Sequence, residues 1–85
     1  MAYEFSLHAL AQIKARNIPI EFVEEVIDNP EQILEEQTVD IHQSVVNFED
    51  GKDYLLRVFL SKKNQTVIRV VITVYKTSQI KKYYQ

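Results

Sequence analysis

Residues 66–76, TVIRVVITVYK, constrain the fold more than any other stretch of this chain. The run is nearly continuous in β-branched side chains, which lose rotamer freedom in a helix and pack well on a pleated sheet. Side chains alternate along a strand, so one parity (Ile68, Val70, Ile72, Val74) is wholly apolar and the other mixed (Val67, Arg69, Val71, Thr73, Tyr75). The run is well short of the ~20 residues a membrane helix needs. It reads as a central strand, and the rest of the chain must supply its neighbours and its cover.

The neighbours come from DYLLRVFL (53–60) and DIHQSVVNFED (40–50), with EQILEEQ (31–37) as a weaker strand and SKKNQ (61–65) as a polar turn. Asp50-Gly51 is a strong signal for a two-residue hairpin. The cover comes from the first thirty residues. Ser6 is a good N-cap, and Phe5 and Leu10 have the spacing of a hydrophobic staple. They open a helix over 7–16 with Leu7, Leu10 and Ile13 on its apolar arc. Asn17 tolerates the left-handed conformation that ends helices, and Pro19 disfavours helix at Ile18. A second helix, 20–28, turns Ile20, Phe22, Val23, Val26 and Ile27 inward and leaves Glu21, Glu24, Glu25 and Asp28 solvated, before Asn29-Pro30 stops it. The expectation is one α+β domain over 1–85, in the order α-α-β-β-β-β. A helical hairpin (6–28) covers one face of a three- to four-stranded antiparallel sheet (32–76), and a basic, aromatic tail (77–85) follows.

At 85 residues the chain can bury a modest core, roughly 60–65% of the unfolded surface. It has no cysteine, which excludes disulfides and thiolate metal sites. The N-terminal residues MAYEFSLHAL lack the basic start and long apolar run of a signal peptide, so a cytoplasmic protein is expected. The formal charge of −2 conceals an asymmetry. Residues 1–51 carry two basic side chains against eleven carboxylates, and residues 52–85 carry eight against one. Either the halves complement one another within the fold, or the basic half meets a charged partner.

Strand parity gathers candidate functional residues. If Leu60 pairs with Thr66, Arg57 lies opposite Arg69 on the face away from the helices, and a two-residue Asp50-Gly51 turn adds His42 to that face. Like charges directly opposite are unfavourable, so an anion is expected there, from a phosphate or from a carboxylate of the chain. His8 lies opposite the apolar arc of the first helix, with Arg16 on the same polar side. The pair is either solvated, or a titrating histidine beside a permanent cation, suited to binding phosphate or moving a proton. The two histidines are 34 residues apart and give no metal-ligand spacing. The single glycine lies in a hairpin, so there is no glycine-rich phosphate loop. Neither a metal nor a cofactor is expected.

Four segments resemble a bacterial family catalogued as domain of unknown function 4258. They are His8-Ala9, Arg16-Asn17-Ile18, EFVEEVIDNP (21–30) and VITVYKTSQIKKYY (71–84). That family looks like a distant relative of the BrnT and RelE-type toxins. The resemblance implies a helix-pair-plus-sheet fold, metal-independent RNA cleavage, and neutralisation by an antitoxin protein. It carries over to His8, Arg16, and the tail around Lys82 and Tyr83. Such cleavage uses the RNA's own 2′-hydroxyl, with basic side chains holding the phosphate. On this reading His8, Arg16, Arg57 and Arg69 form the catalytic set, while Tyr75, Lys82 and Tyr83 bind the nucleic acid by stacking and charge. The other reading is a non-catalytic module on the same scaffold that binds an acidic protein or itself. The acidic pI of about 5.6 counts against a free nucleic-acid binder.

Overall fold

The computed structural model describes residues 3–62 and 68–85. In chain order the elements are β1 (Tyr3–Phe5), α1 (Leu7–Ala15), α2 (Ile20–Asp28), β2 (Gln32–Glu35), β3 (Val39–Asn47), β4 (Asp53–Ser61), β5 (Arg69–Thr77) and α3 (Ile80–Tyr83). The sheet order is β1-β5-β4-β3-β2, with β1 parallel to β5 and the other pairs antiparallel. The expected three- to four-stranded antiparallel sheet is therefore replaced by a five-stranded mixed one. Three residues of β1 are too few to show an alternation, yet pairing them with β5 covers that strand's free edge. No helix among the described residues is long and apolar enough to cross a membrane.

The two long helices sit where their caps place them. The Ser6 hydroxyl accepts from Ala9 N–H at 3.0 Å and donates to the Ile72 carbonyl at 2.9 Å, so one side chain both starts α1 and pins it to β5. Asn17 closes α1 with φ 52°, the left-handed conformation its side chain tolerates. α1 is rotated from the orientation its apolar arc suggests. Ala9 and Ile13 are buried, whereas Leu7 is 86% and Leu10 44% exposed. The small Ala9 lets the helix approach the sheet, and Gln12 Oε1 accepts from Thr73 Oγ1 at 2.6 Å. On α2, Val23, Val26 and Ile27 of the expected apolar face are buried, and Ile20 and Phe22 are half-buried. They meet Leu56, Val58 and Leu60 of β4 and Val71 and Val74 of β5 in a single core. Each fully buried side chain of this kind stabilises the fold by about 1.5–3 kcal/mol.

Two irregularities displace the expected register. The hairpin between β3 and β4 is one residue longer than a two-residue turn. Phe48 N–H donates to Lys52 O and Gly51 N–H to Phe48 O, with Gly51 at φ 80°, the geometry of a type I turn followed by a left-handed residue. His42 therefore pairs with Val58 rather than Phe59, and Gln43 rather than Ser44 faces Arg57. Between β4 and β5 the register shifts at Phe59/Leu60. Phe59 pairs with Thr73 but Leu60 with Val71, leaving Ile72 as the extra residue of a bulge. A bulge reverses the phase of side chains beyond it. Of the four residues expected in the core, Val74 is buried, Val70 half-buried, and Ile68 and Ile72 exposed. Val71 fills the core in their place. The expected SKKNQ turn and the first residues of its following strand fall mostly on 63–67, outside the described residues.

Candidate functional site

The face of the sheet away from α1 and α2 is covered in part by α3. Arg57, at the middle of β4, is 9% exposed. Its guanidinium carbon lies 4.5 Å from the Tyr83 ring centroid and 5.5 Å from that of Phe59. Its Nε donates to Gln43 Oε1 at 2.9 Å. Among the described residues no acceptor meets its two terminal nitrogens. Arg57 also lines an open groove of about 450 Å³ with Ile33, Leu34, Glu35, Glu36, Ile41 and Gln85. A guanidinium held between aromatic rings keeps its charge while giving up water, which makes it a strong anchor for an anion.

Gln43 organises this cluster. It is fully buried, and while its oxygen accepts from Arg57, its Nε2 donates to Gln32 Oε1 at 2.8 Å and to the Tyr83 carbonyl at 3.1 Å. Gln32 in turn donates to Gln85 O at 2.8 Å and accepts from Gln85 N–H at 3.1 Å. Two strand glutamines thus strap residues 83–85 across the sheet and set Tyr83 over Arg57. Tyr75, the cross-strand partner of Arg57, meets Tyr83 edge-to-face with centroids 6.1 Å apart. Lys82 Nζ is 5.3 Å from the Tyr83 centroid. The Tyr83 hydroxyl is held below the ordinary phenol range: the neighbouring Tyr75 side chain lowers it most, loss of solvent opposes this, and Lys82 and Arg57 lower it further.

Arg57, Tyr75, Lys82 and Tyr83 are thus brought together, while the other residues singled out from the sequence lie elsewhere. Arg69 does not face Arg57. The bulge puts it on the helix-facing side of β5, 4% exposed, where Nη2 donates to Asp40 Oδ2 at 2.7 Å and Nε to Ser61 O at 3.1 Å. Lys62 Nζ reaches the other Asp40 oxygen at 2.6 Å. The anion beside Arg69 is a carboxylate of the chain, and the pair joins β3 to β5 across β4. Removing one partner of such a buried pair costs about 3–5 kcal/mol. Arg69 Nη1 is buried without a hydrogen-bond acceptor among the described residues.

His8 is exposed on α1, and Arg16 is exposed at that helix's C-cap. Both belong to the helix layer, with the sheet between them and Arg57. Arg16 borders a shallow groove with Pro19, Phe48, Asp50 and Lys76. His42 is buried with Nδ1 3.0 Å from the Ile27 carbonyl, tying the end of α2 to β3. Sequence reasoning did not single out Gln43, Gln32 or Asp40. The signal for Gln43 is its outward parity on β3, which points to Arg57 only once the hairpin loop is counted as three residues. Among the described residues no group of His, Asp and Glu is placed to hold a metal ion.

In comparison with known families, a family model described as Domain of unknown function (DUF4258) matches residues 5–81. That span includes Arg57 and Tyr75 and stops just before Lys82 and Tyr83. No curated protein and no solved structure matches the chain.

Proposed function

The chain belongs to the DUF4258 family, and on that premise we propose that it is a metal-independent endoribonuclease resembling the BrnT and RelE-type toxins, acting on single-stranded RNA at the Arg57–Tyr83 cluster and held in check by an antitoxin protein. One observation carries the reading: Arg57 is fixed by Gln43 and two aromatic rings, with its terminal nitrogens left for an anion. Tyr75 and Tyr83 beside it offer π-faces to bases, each stacked base contributing about 1–3 kcal/mol. In this site the RNA 2′-oxygen attacks the adjacent phosphorus as the bond to the 5′-oxygen breaks. The products are a 2′,3′-cyclic phosphate and a 5′-hydroxyl end. Arg57 neutralises charge on the phosphoryl oxygens. Tyr83, in its phenolate form, takes the 2′-hydroxyl proton, and solvent protonates the departing oxygen. Neither His8 nor Arg69 has a role in this arrangement, because one lies in the other layer and the other is spent on Asp40.

Inducible expression in a bacterial host, read by growth and RNA integrity, tests this. Wild-type protein should arrest growth and degrade RNA. Tyr83→Phe should retain binding and lose cleavage by about 10²–10⁴-fold, the range of a general acid–base group. Arg57→Ala should weaken RNA binding and flatten its dependence on log salt by about 0.7, one released phosphate counterion on a single strand. RNA binding without cleavage would end the ribonuclease claim, and wild-type protein that neither binds nor cuts RNA would end the proposal and leave the non-catalytic module that binds an acidic protein or itself.

A further inference from the structure

The sheet has a second, unrelated opening at the edge of β3. β2 pairs with β3 only as far as Gln32↔Gln43, whereas β3 runs on to Asn47. Continuing the register would place Pro30 opposite Val45, and proline has no N–H to give. Among the described residues no strand pairs with the outer edge of residues 44–47. The Val45 N–H points out along this edge and is met instead by a side chain, Glu31 Oε1 at 3.0 Å, while Glu31 N–H is taken up by Ser44 Oγ at 2.9 Å. Backbone groups alternate in direction along a strand, so the N–H and C=O of Asn47 share that outward side.

Beside this edge lies an apolar groove of about 350 Å³ between α2 and β3. Phe22, Val26 and Val46 line it, and the exposed carboxylates of Glu25 and Glu31 border it. A groove between a helix and a free strand edge is the shape that receives an extended segment by strand addition. Main-chain hydrogen bonds give affinity, and a pocket for alternate side chains gives selectivity.

We infer that the β3 edge at Val45–Asn47 is a docking site for an extended, lysine- or arginine-bearing segment of a partner protein, which adds as a strand and seats an apolar side chain between Phe22, Val26 and Val46. Charge selects this occupant. Among the described residues, no basic side chain lines the groove to offset Glu25 and Glu31. A second copy would bring two such borders together, and an acidic segment would meet the same repulsion. The Glu31 carboxylate currently stands where the incoming carbonyl would accept from Val45. It swings out to pair with a basic side chain of the added strand. The site lies on the sheet's edge, apart from Arg57, and does not depend on the ribonuclease reading.

The test uses the full chain, isotopically labelled, and a synthetic peptide of alternating lysine and valine, acetyl-KVKVK-amide. The peptide should shift the amides of Val45 and Asn47 and the methyls of Val26 and Val46. Affinity should fall at least tenfold when the peptide is N-methylated on its pairing edge, and at least tenfold with Glu25→Lys, an exposed substitution. The acidic counterpart, acetyl-EVEVE-amide, should bind only the Glu25→Lys protein. Absent or scattered shifts, equal binding by the N-methylated peptide, or equal binding by the acidic one would overturn the inference. So would concentration-dependent dimerisation through these same amides without peptide, which would give the edge to a second copy.

Discussion

Tyr83 lies over Arg57 because Gln43 holds its backbone, and its phenol is tuned by what that placement brings near. Its downward shift comes chiefly from Tyr75, so Tyr75→Phe should return the Tyr83 phenol toward the ordinary range of about 10. Ultraviolet titration of tyrosine ionisation, with Tyr83→Phe to assign the transition, reads this directly. The sign for stability follows from the direction. The folded state releases the Tyr83 proton at lower pH than the unfolded state. The contribution is therefore full above the unfolded value and is lost as pH falls through the folded one. An unchanged titration in Tyr75→Phe would show that Lys82 and Arg57 do the tuning. At this scale the sequence was legible where one strand decides the matter. Arg57 alternates with Leu56 and Val58 on β4, and its outward side follows from that alone. Arg69 was not legible, because its side depends on a bulge between two strands.

A bulge and a turn decide which faces the strands present. Both are set by pairing between segments, which is why the caps of α1 and α2 were readable and the phase of β5 was not. Ser6 and Pro19 act within a few residues, whereas the extra residue at Ile72 appears only when β5 is laid against β4. The hairpin carries the same lesson. Asp50-Gly51 correctly marked a turn, but the choice between two and three residues rests on whether Phe48 and Lys52 pair. Their pairing requires a left-handed Gly51. A Cβ there would meet nothing within 4 Å, so Gly51→Ala should cost only the backbone strain, about 1–2 kcal/mol. A lowered urea midpoint at unchanged slope is the expected outcome. A larger loss with an altered slope would mean that the register itself had slipped.

Over the whole molecule, the acidic first half and the basic second half share one core but few ion pairs. Among the described residues the ion pairs joining them are those of Asp40 with Lys62 and Arg69. The remaining charge separates only in part, for Glu35 and Glu36 line the groove beside Arg57 while Arg16 and Lys76 border a groove at the helix layer. The carboxylates of α2 lie over one face, and Arg57 and Lys82 sit on or beside the other. One domain thus presents an acidic edge suited to a basic strand and a cationic face suited to an anion. The sheet that separates them is closed by its most distant parts, for Tyr3 pairs with Arg69 and Phe5 with Val71. Such pairing has a large loop-closure cost and forms late. Phe5→Ala should therefore speed unfolding much more than it slows refolding, with a φ-value of about 0–0.3. A chevron measured by stopped flow checks this, and equal changes in both arms would place β1 in the folding nucleus.

The parallel pairing of β1 with β5 also orders events during synthesis. Translation delivers residues 3–5 and then the two helices well before β5, so the helices are made before the sheet they cover can close. Until β5 leaves the ribosome, β4 lacks the strand that pairs its second edge. Until residues 78–85 follow, nothing lies over Arg57. A nascent chain is thus an unfinished sheet beneath a finished lid, able to meet a chaperone or a partner strand before its cationic face is assembled.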